Sequence, residues 1–191
     1  MKKNMLKQLP NVLTLINMLL GVSAILLVIQ SSEPEAKLIC AVLILLGGVI
    51  DAFDGAIARR LNAVTALGKQ LDSFADLITF GVAPVCLLSS LSFCKASDLT
   101  VCLLWIFPLA GAFRLARYNL SDFGKHFVGL PITVAGMLVT IFCMVSPTLQ
   151  AAITETFCSG MALLLILSLS LMMVSTVKIK RLSLLSATRK S

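Results

Sequence analysis

The stretch Asp51-Ala-Phe-Asp-Gly-Ala-Ile-Ala-Arg59, followed after eight residues by Gly68-Lys-Gln-Leu-Asp-Ser-Phe-Ala-Asp76, decides how this chain is read. It holds every aspartate of the protein except Asp98 and Asp122, and it sits among apolar runs. A carboxylate at bilayer depth costs about 2.5–3.5 kcal/mol on insertion scales, so four in one place need a common reason. Spacings of three and four put Asp51 with Asp54, and Asp72 with Asp76, each pair on one face of a helix. The 59–70 connector is short and polar, so the two segments form an antiparallel hairpin that brings all four carboxylates to one depth, just inside a membrane face.

Four converging carboxylates repel one another unless cations intervene. A ligand set of oxygen alone, with no His or Cys nearby, suits Mg²⁺, Mn²⁺ or Ca²⁺ and not zinc. Two such ions a few ångström apart can clamp phosphoryl oxygens and activate a hydroxyl. Gly48 and Ala52 suit close helix packing, whereas Gly55, beside a candidate ligand, suits the close approach of a flat ligand to the backbone. Arg59 offers a planar fork for phosphate; Arg60 fits an interfacial anchor. Capping would explain one aspartate per helix end, not four at two helical periods.

Working outward, 58% of the 191 residues are hydrophobic and only 13% are charged, the composition of a membrane protein. Apolar runs fall near 11–30, 38–57, 71–91, 99–118, 128–147 and 151–177, each about the 20 residues a helical span needs. Breakers separate them at 31–35, 59–62, 92–98, 119–127 and Ser146-Pro147. No small-residue cleavage site follows the first run, so it is read as a retained span. The expectation is an all-α, polytopic membrane protein with six transmembrane helices. Residues 1–191 form a single transmembrane catalytic domain, with an N-terminal segment 1–10 and a C-terminal tail 178–191.

Charge sets the orientation. Of the basic residues, only Lys37 and Lys95 fall on one side of this map; all the others fall on the opposite side. The positive-inside rule then puts both termini in the cytoplasm. The net charge of +7 rings one membrane face, where anionic lipids gather, and no basic stripe interleaved with aromatics argues for nucleic acid. The six cysteines contain no C-x-x-C pair and read as small buried hydrophobes; Cys94 and Cys102 flank one predicted outer loop.

The pattern D-x-x-D-G-x-x-A-R-x8-G-x-x-x-D-x-x-x-D resembles the signature of the CDP-alcohol phosphatidyltransferases, and this chain matches all eight fixed positions: Asp51, Asp54, Gly55, Ala58, Arg59, Gly68, Asp72 and Asp76. Softer similarity to the integral-membrane, serine-accepting branch lies in Leu9–Asn17, Leu71–Leu77, Phe80–Pro84, Arg114–Asn119 and Phe127–Pro131. The resemblance implies the family's CDP-alcohol phosphotransferase fold, a homodimer, and CDP-diacylglycerol and L-serine as substrates. It implies Asp51, Asp54, Asp72 and Asp76 as ligands of Mg²⁺ or Mn²⁺, two ions in all, with Asp76 also the general base. Gly55, Ala58, Arg59, Thr65 and Gly68 fall at positions that meet the CDP moiety, with Thr14 and Asn17 as further nucleotide contacts. Serine is a zwitterion, so its carboxylate needs a cation: Arg114 and Arg117, one turn apart, are the candidates, with Asn119 for the amine or the backbone. Two other readings stand beside this one. Another acceptor, glycerol 3-phosphate or an inositol phosphate, could use Arg114, Arg117 and Lys125. A cation transporter would place its carboxylates near the bilayer midplane.

Overall fold

The computed structural model describes residues 2–61, 65–94, 98–120, 127–150, 153–175 and 178–179. Lys125, His126 and the tail beyond Ile179 lie outside the described residues. Six helices are long and apolar enough to cross a membrane, and the chain is a multi-pass membrane protein. They are α1 (Lys2–Gln30), α2 (Pro34–Arg60), α3 (Ala66–Ser89), α4 (Leu99–Leu120), α5 (Ile132–Gln150) and α6 (Glu155–Val174). The six expected spans are all present. The described residues add one two-residue antiparallel pairing, Phe127–Val128 with Lys178–Ile179.

Helix α1 is continuous from Lys2, and its apolar span begins at Gln8. One expectation about boundaries is corrected. Ser146-Pro147 is not a break, because α5 runs through it to Gln150. Proline cannot donate to the carbonyl four residues back, here that of Cys143. The Ser146 hydroxyl donates to that carbonyl instead, at 2.9 Å, so the buried acceptor is satisfied and the helix goes on.

The helices pack through small residues. Gly47 of α2 lies against the Asn17 side chain, and a Cβ on Gly21 would run into Thr79. The Thr79 hydroxyl donates to the Asn17 carbonyl at 3.0 Å, tying α3 to α1. The interior is filled by Ile44, Phe80, Leu87, Phe107, Val139 and Ile166. The outer surface is apolar too: Ile29, Leu109, Leu164 and Leu171 are 68–73% exposed, as lipid-facing positions should be.

Helix α3 changes its winding partway. Ala66–Asp76 is α-helical, Leu77–Val82 is a π-helical stretch, and Ala83–Ser89 is α-helical again. The Ala83 N–H reaches back five residues to the Ile78 carbonyl. Such wide turns are rare and often lie beside functional sites. This one begins immediately after Asp76 and turns Thr79, Phe80 and Gly81 into the bundle.

All six thiols are free. Cys94, in the turn after α3, is buried, which pushes its thiol up to about 12, whereas Cys102 is exposed. The two ends of that loop are not joined.

Candidate active site

Helix α2 ends at Arg60 with Arg59 and Arg60 in its last turn, where cations favour the helix dipole. Helix α3 starts two residues after the undescribed 62–64 segment, capped by Thr65, whose hydroxyl oxygen accepts from the Gly68 N–H at 3.0 Å. A Cβ on Gly68 would press on Asn11 Oδ1 of α1 and on the Thr65 hydroxyl, so any larger residue there would displace the Asn11 side chain or the cap. Gly55 is different. A Cβ there would meet nothing but the Arg59 guanidinium, at an ordinary 3.5 Å. The protein's own packing does not require glycine at 55; the space above it belongs to the cleft.

Asp51, Asp72 and Asp76 each place an oxygen within 4.8 Å of the other two. The Thr133 hydroxyl, from the start of α5, donates to Asp51 Oδ2 at 3.4 Å. Asp76 Oδ1 is buried and has no hydrogen-bond partner. Asp54 stands beside this triad, 3% exposed, with the Thr14 hydroxyl 2.9 Å from its Oδ2 and 3.0 Å from the Pro10 carbonyl. The cluster opens into a cleft between the last turns of α2 and the first turns of α3.

That cleft has two lobes sharing the walls Asp54, Gly55, Arg59, Lys69, Asp72 and Tyr118. The first lobe, about 380 Å³, adds Pro10, Asn11, Thr14, Ala58, Thr65 and Gly68. The second, about 290 Å³, adds Asp51, Asp76, Ser73, Arg114, Asn119 and Thr133, among others. The Lys69 ammonium sits 4.9 Å from the centre of the Tyr118 ring, which holds a cation where the lobes meet. The second lobe is acidic on one wall and carries Arg114, 7% exposed, with its Nε unpartnered.

The donor set fits a hard divalent cation. It is oxygen only, three carboxylates converge within one ion's reach, and one buried oxygen lacks any partner. Asp51, Asp72 and Asp76 are the residues that could hold such an ion, with Asp54 adjoining.

Most of the residues singled out from sequence come together. Thr14, Gly55, Ala58, Arg59, Thr65 and Gly68 line the first lobe; Asp51, Asp76, Arg114 and Asn119 line the second; Asp54 and Asp72 face both. Two do not join them. Asn17 is fully buried against Gly47, between helices and away from either lobe. Arg117 is turned to α6, where its guanidinium donates to the Val174 and Ser175 carbonyls at 2.9 and 3.3 Å. Those are among the last carbonyls of that helix, which have no donors of their own. Leu130 N–H donates to the Met172 carbonyl at 3.2 Å on the same helix end. Gly129 makes this approach possible, with φ +78 and the carbonyls of Met172, Met173 and Ser175 where a Cβ would go. Asn11, Lys69, Ser73, Tyr118 and Thr133 were not anticipated; the one cue for Lys69 was a cation inside the aspartate signature.

A six-span helical bundle whose second and third helices pool carboxylates beside an arginine- and lysine-walled cleft is the architecture of a membrane phosphotransferase. The chain belongs to the CDP-alcohol phosphatidyltransferase family, whose sequence profile matches residues 7–177. It is 36% identical over 134 residues to a CDP-diacylglycerol–serine O-phosphatidyltransferase of Bacillus subtilis, covering 70% of this chain and 73% of the relative. It is 32% identical over 179 residues to an archaetidylserine synthase of Methanothermobacter thermautotrophicus, covering 91% and 70%. A CDP-diacylglycerol–serine O-phosphatidyltransferase of Methanocaldococcus jannaschii is 38% identical over 130 residues, covering 68% and 57%.

Proposed function

We propose that this chain is a CDP-diacylglycerol–serine O-phosphatidyltransferase, transferring the phosphatidyl group to the hydroxyl of L-serine and releasing CMP. The observation that carries this is the bilobed cleft with Asp54 and Asp72 on the wall its lobes share and Asp51 and Asp76 in the second lobe: one lobe suits a nucleotide diphosphate and the other a small zwitterion. The names of all three relatives specify serine as acceptor although their lipids differ, which supports the same acceptor here.

Each residue's part follows from its place. Gly55 leaves room for the nucleotide to lie on the α2 backbone. Arg59 and Lys69, together with the N-terminal end of α3, supply positive potential for the diphosphate. Asp51, Asp54, Asp72 and Asp76 would hold one or two Mg²⁺ or Mn²⁺ ions, which when bound neutralise phosphoryl charge and acidify a nearby hydroxyl. Arg114, a forced cation on the second lobe, takes the serine carboxylate. Asp76, whose Oδ1 has no partner, takes the proton from the serine hydroxyl. The serine oxygen then bonds to the phosphorus that carries the diacylglycerol. The bond from that phosphorus to the bridging oxygen breaks, and CMP leaves with the electron pair.

The same reading makes residues 1–191 one catalytic domain of the inner (plasma) membrane. Both termini and the cleft face the cytoplasm, as the basic residues indicate. The widely exposed apolar helix faces suit a homodimer, which cross-linking in nanodiscs tests. The deciding experiment is an acceptor panel with CMP release as readout. Purified protein in nanodiscs with CDP-diacylglycerol should release CMP with L-serine and form labelled phosphatidylserine from [¹⁴C]serine. Release with glycerol 3-phosphate or an inositol phosphate, and none with serine, would reassign the acceptor. Running the panel with a CDP-activated ether lipid tests whether the cleft reads the tails at all.

A further inference from the structure

Ser73, next to Asp72 on α3, donates its hydroxyl proton to the Lys69 carbonyl at 3.0 Å. A hydroxyl has one proton to give, so toward Asn119, 2.9 Å away, the Ser73 oxygen can only accept. The Asn119 amide must therefore turn its NH₂ to Ser73, and Gln70 Oε1 lies 3.5 Å from the same nitrogen. This fixes the other end of the amide. Asn119 Oδ1 points away from the relay, is buried, and has no hydrogen-bond partner among the described residues. Asn119 lines the same lobe as Asp76 and Arg114. Around the attacking hydroxyl the protein thus sets one guanidinium with a spare N–H and one carbonyl oxygen with a spare lone pair.

We infer that Asn119 Oδ1 receives the ammonium of the acceptor, and that Ser73 is the positioning residue that holds the amide in that orientation. The inference rests on the serine reading and extends it to selectivity. The lobe accepts a zwitterionic amino alcohol because it offers both a cation and a fixed electron-rich oxygen. A phosphorylated acceptor brings a phosphate group, whose ionised oxygens only accept, in place of the ammonium and sets it against that carbonyl. A hydroxy acid without the amine satisfies Arg114 but leaves Oδ1 unpaired, and a site built to hydrogen-bond a group rejects the analogue that lacks it.

The test compares L-serine with 3-hydroxypropionate, which is serine without its amine, using the full chain in nanodiscs. KM for serine, KM for CDP-diacylglycerol and kcat come from CMP release; Ki for 3-hydroxypropionate comes from competition against serine. Ser73→Ala frees the amide to flip and should raise KM for serine roughly tenfold, leaving kcat, the donor KM and the 3-hydroxypropionate Ki within about twofold. Ser73→Thr keeps the hydroxyl and should restore the serine KM. Asn119→Leu should raise the serine KM roughly 10- to 100-fold and erase the preference for serine over its amine-free analogue. An unchanged donor KM certifies that each variant is folded. Equal weakening of serine and 3-hydroxypropionate, an unchanged serine KM, or failure of Ser73→Thr to rescue each overturns the proposal. If the unaltered protein ignores serine and uses glycerol 3-phosphate, the serine reading itself fails and this inference goes with it.

Discussion

The cleft between α2 and α3 and the packed middle of the bundle treat their polar groups and their glycines in opposite ways. In the middle, hydroxyls are satisfied close to home: Thr140 donates to the Gly136 carbonyl at 2.9 Å, Ser170 to Ile166 at 2.7 Å, Thr79 to Asn17 at 3.0 Å. In the cleft, Asp76 Oδ1, Arg114 Nε and Asn119 Oδ1 are buried with no partner among the described residues. Glycines divide the same way. A Cβ on Gly136 would collide with the backbone of Phe80, while one on Gly55 would meet only a movable guanidinium. Interiors pair their polar groups and fill their volume. Where a cleft does neither, a ligand can supply the missing partner. Among the described residues Asn17 crosses the line: it lies in the middle, yet neither atom of its amide has a partner.

The comparison can be broken by substitution, and the largest effect should come from the cleft's unpaired carboxylate. Asp76→Asn removes the base and should lower kcat by roughly three orders of magnitude, within the range of general-base catalysis. CDP-diacylglycerol should still bind in the presence of divalent ion, as read by fluorescence or calorimetry; near-normal turnover would remove Asp76 from its role. Next comes Gly55→Leu, which should raise the donor KM roughly 10- to 100-fold, the loss of about 1.4–2.8 kcal/mol of binding, with an unchanged melting temperature. If Gly55→Leu melts early and binds normally, Gly55 is a packing residue and the contrast with Gly136 is lost. Gly136→Ala should do the reverse. It drives a Cβ into the Phe80 backbone and should cost about 1–3 kcal/mol of stability, seen as an earlier melt in detergent, with both KM values intact. Smallest is Ser146→Ala, which leaves the Cys143 carbonyl without its replacement donor and should cost about 1 kcal/mol, again without touching activity.

The sequence reveals what is repeated at helical spacing. Two aspartate pairs, a glycine and an arginine within 26 residues define one face, and all of them reach the cleft. It is silent where the deciding partner lies far along the chain. Arg114 and Arg117 are chemically identical and one turn apart, yet one turns to the cleft and the other to carbonyls some 57 residues away on α6. Asn17 sits three residues after Thr14, but only Thr14 meets Asp54; the meeting of Asn17 with Gly47 depends on how α1 crosses α2. Pro147 reads as a break because its missing donor is visible in sequence, whereas the geometry of the replacement at Ser146 is not. The Ser73–Asn119 relay is hidden for the same reason: it joins α3 to α4 across 46 residues.

The wide turn at Leu77–Val82 has a genetic corollary. A π-turn is one residue wider than an α-turn, so a codon lost within this stretch closes it to a regular helix and leaves its flanks facing much as before. A codon lost from the α-helical turns on either side has no such slack and would rotate one half of α3 by about 100° relative to the other. The half that carries Asp72 and Asp76 and the half that carries Val85 and Leu88 would then no longer face their partners together. Length drift in this gene is therefore expected between the helices and within the wide turn.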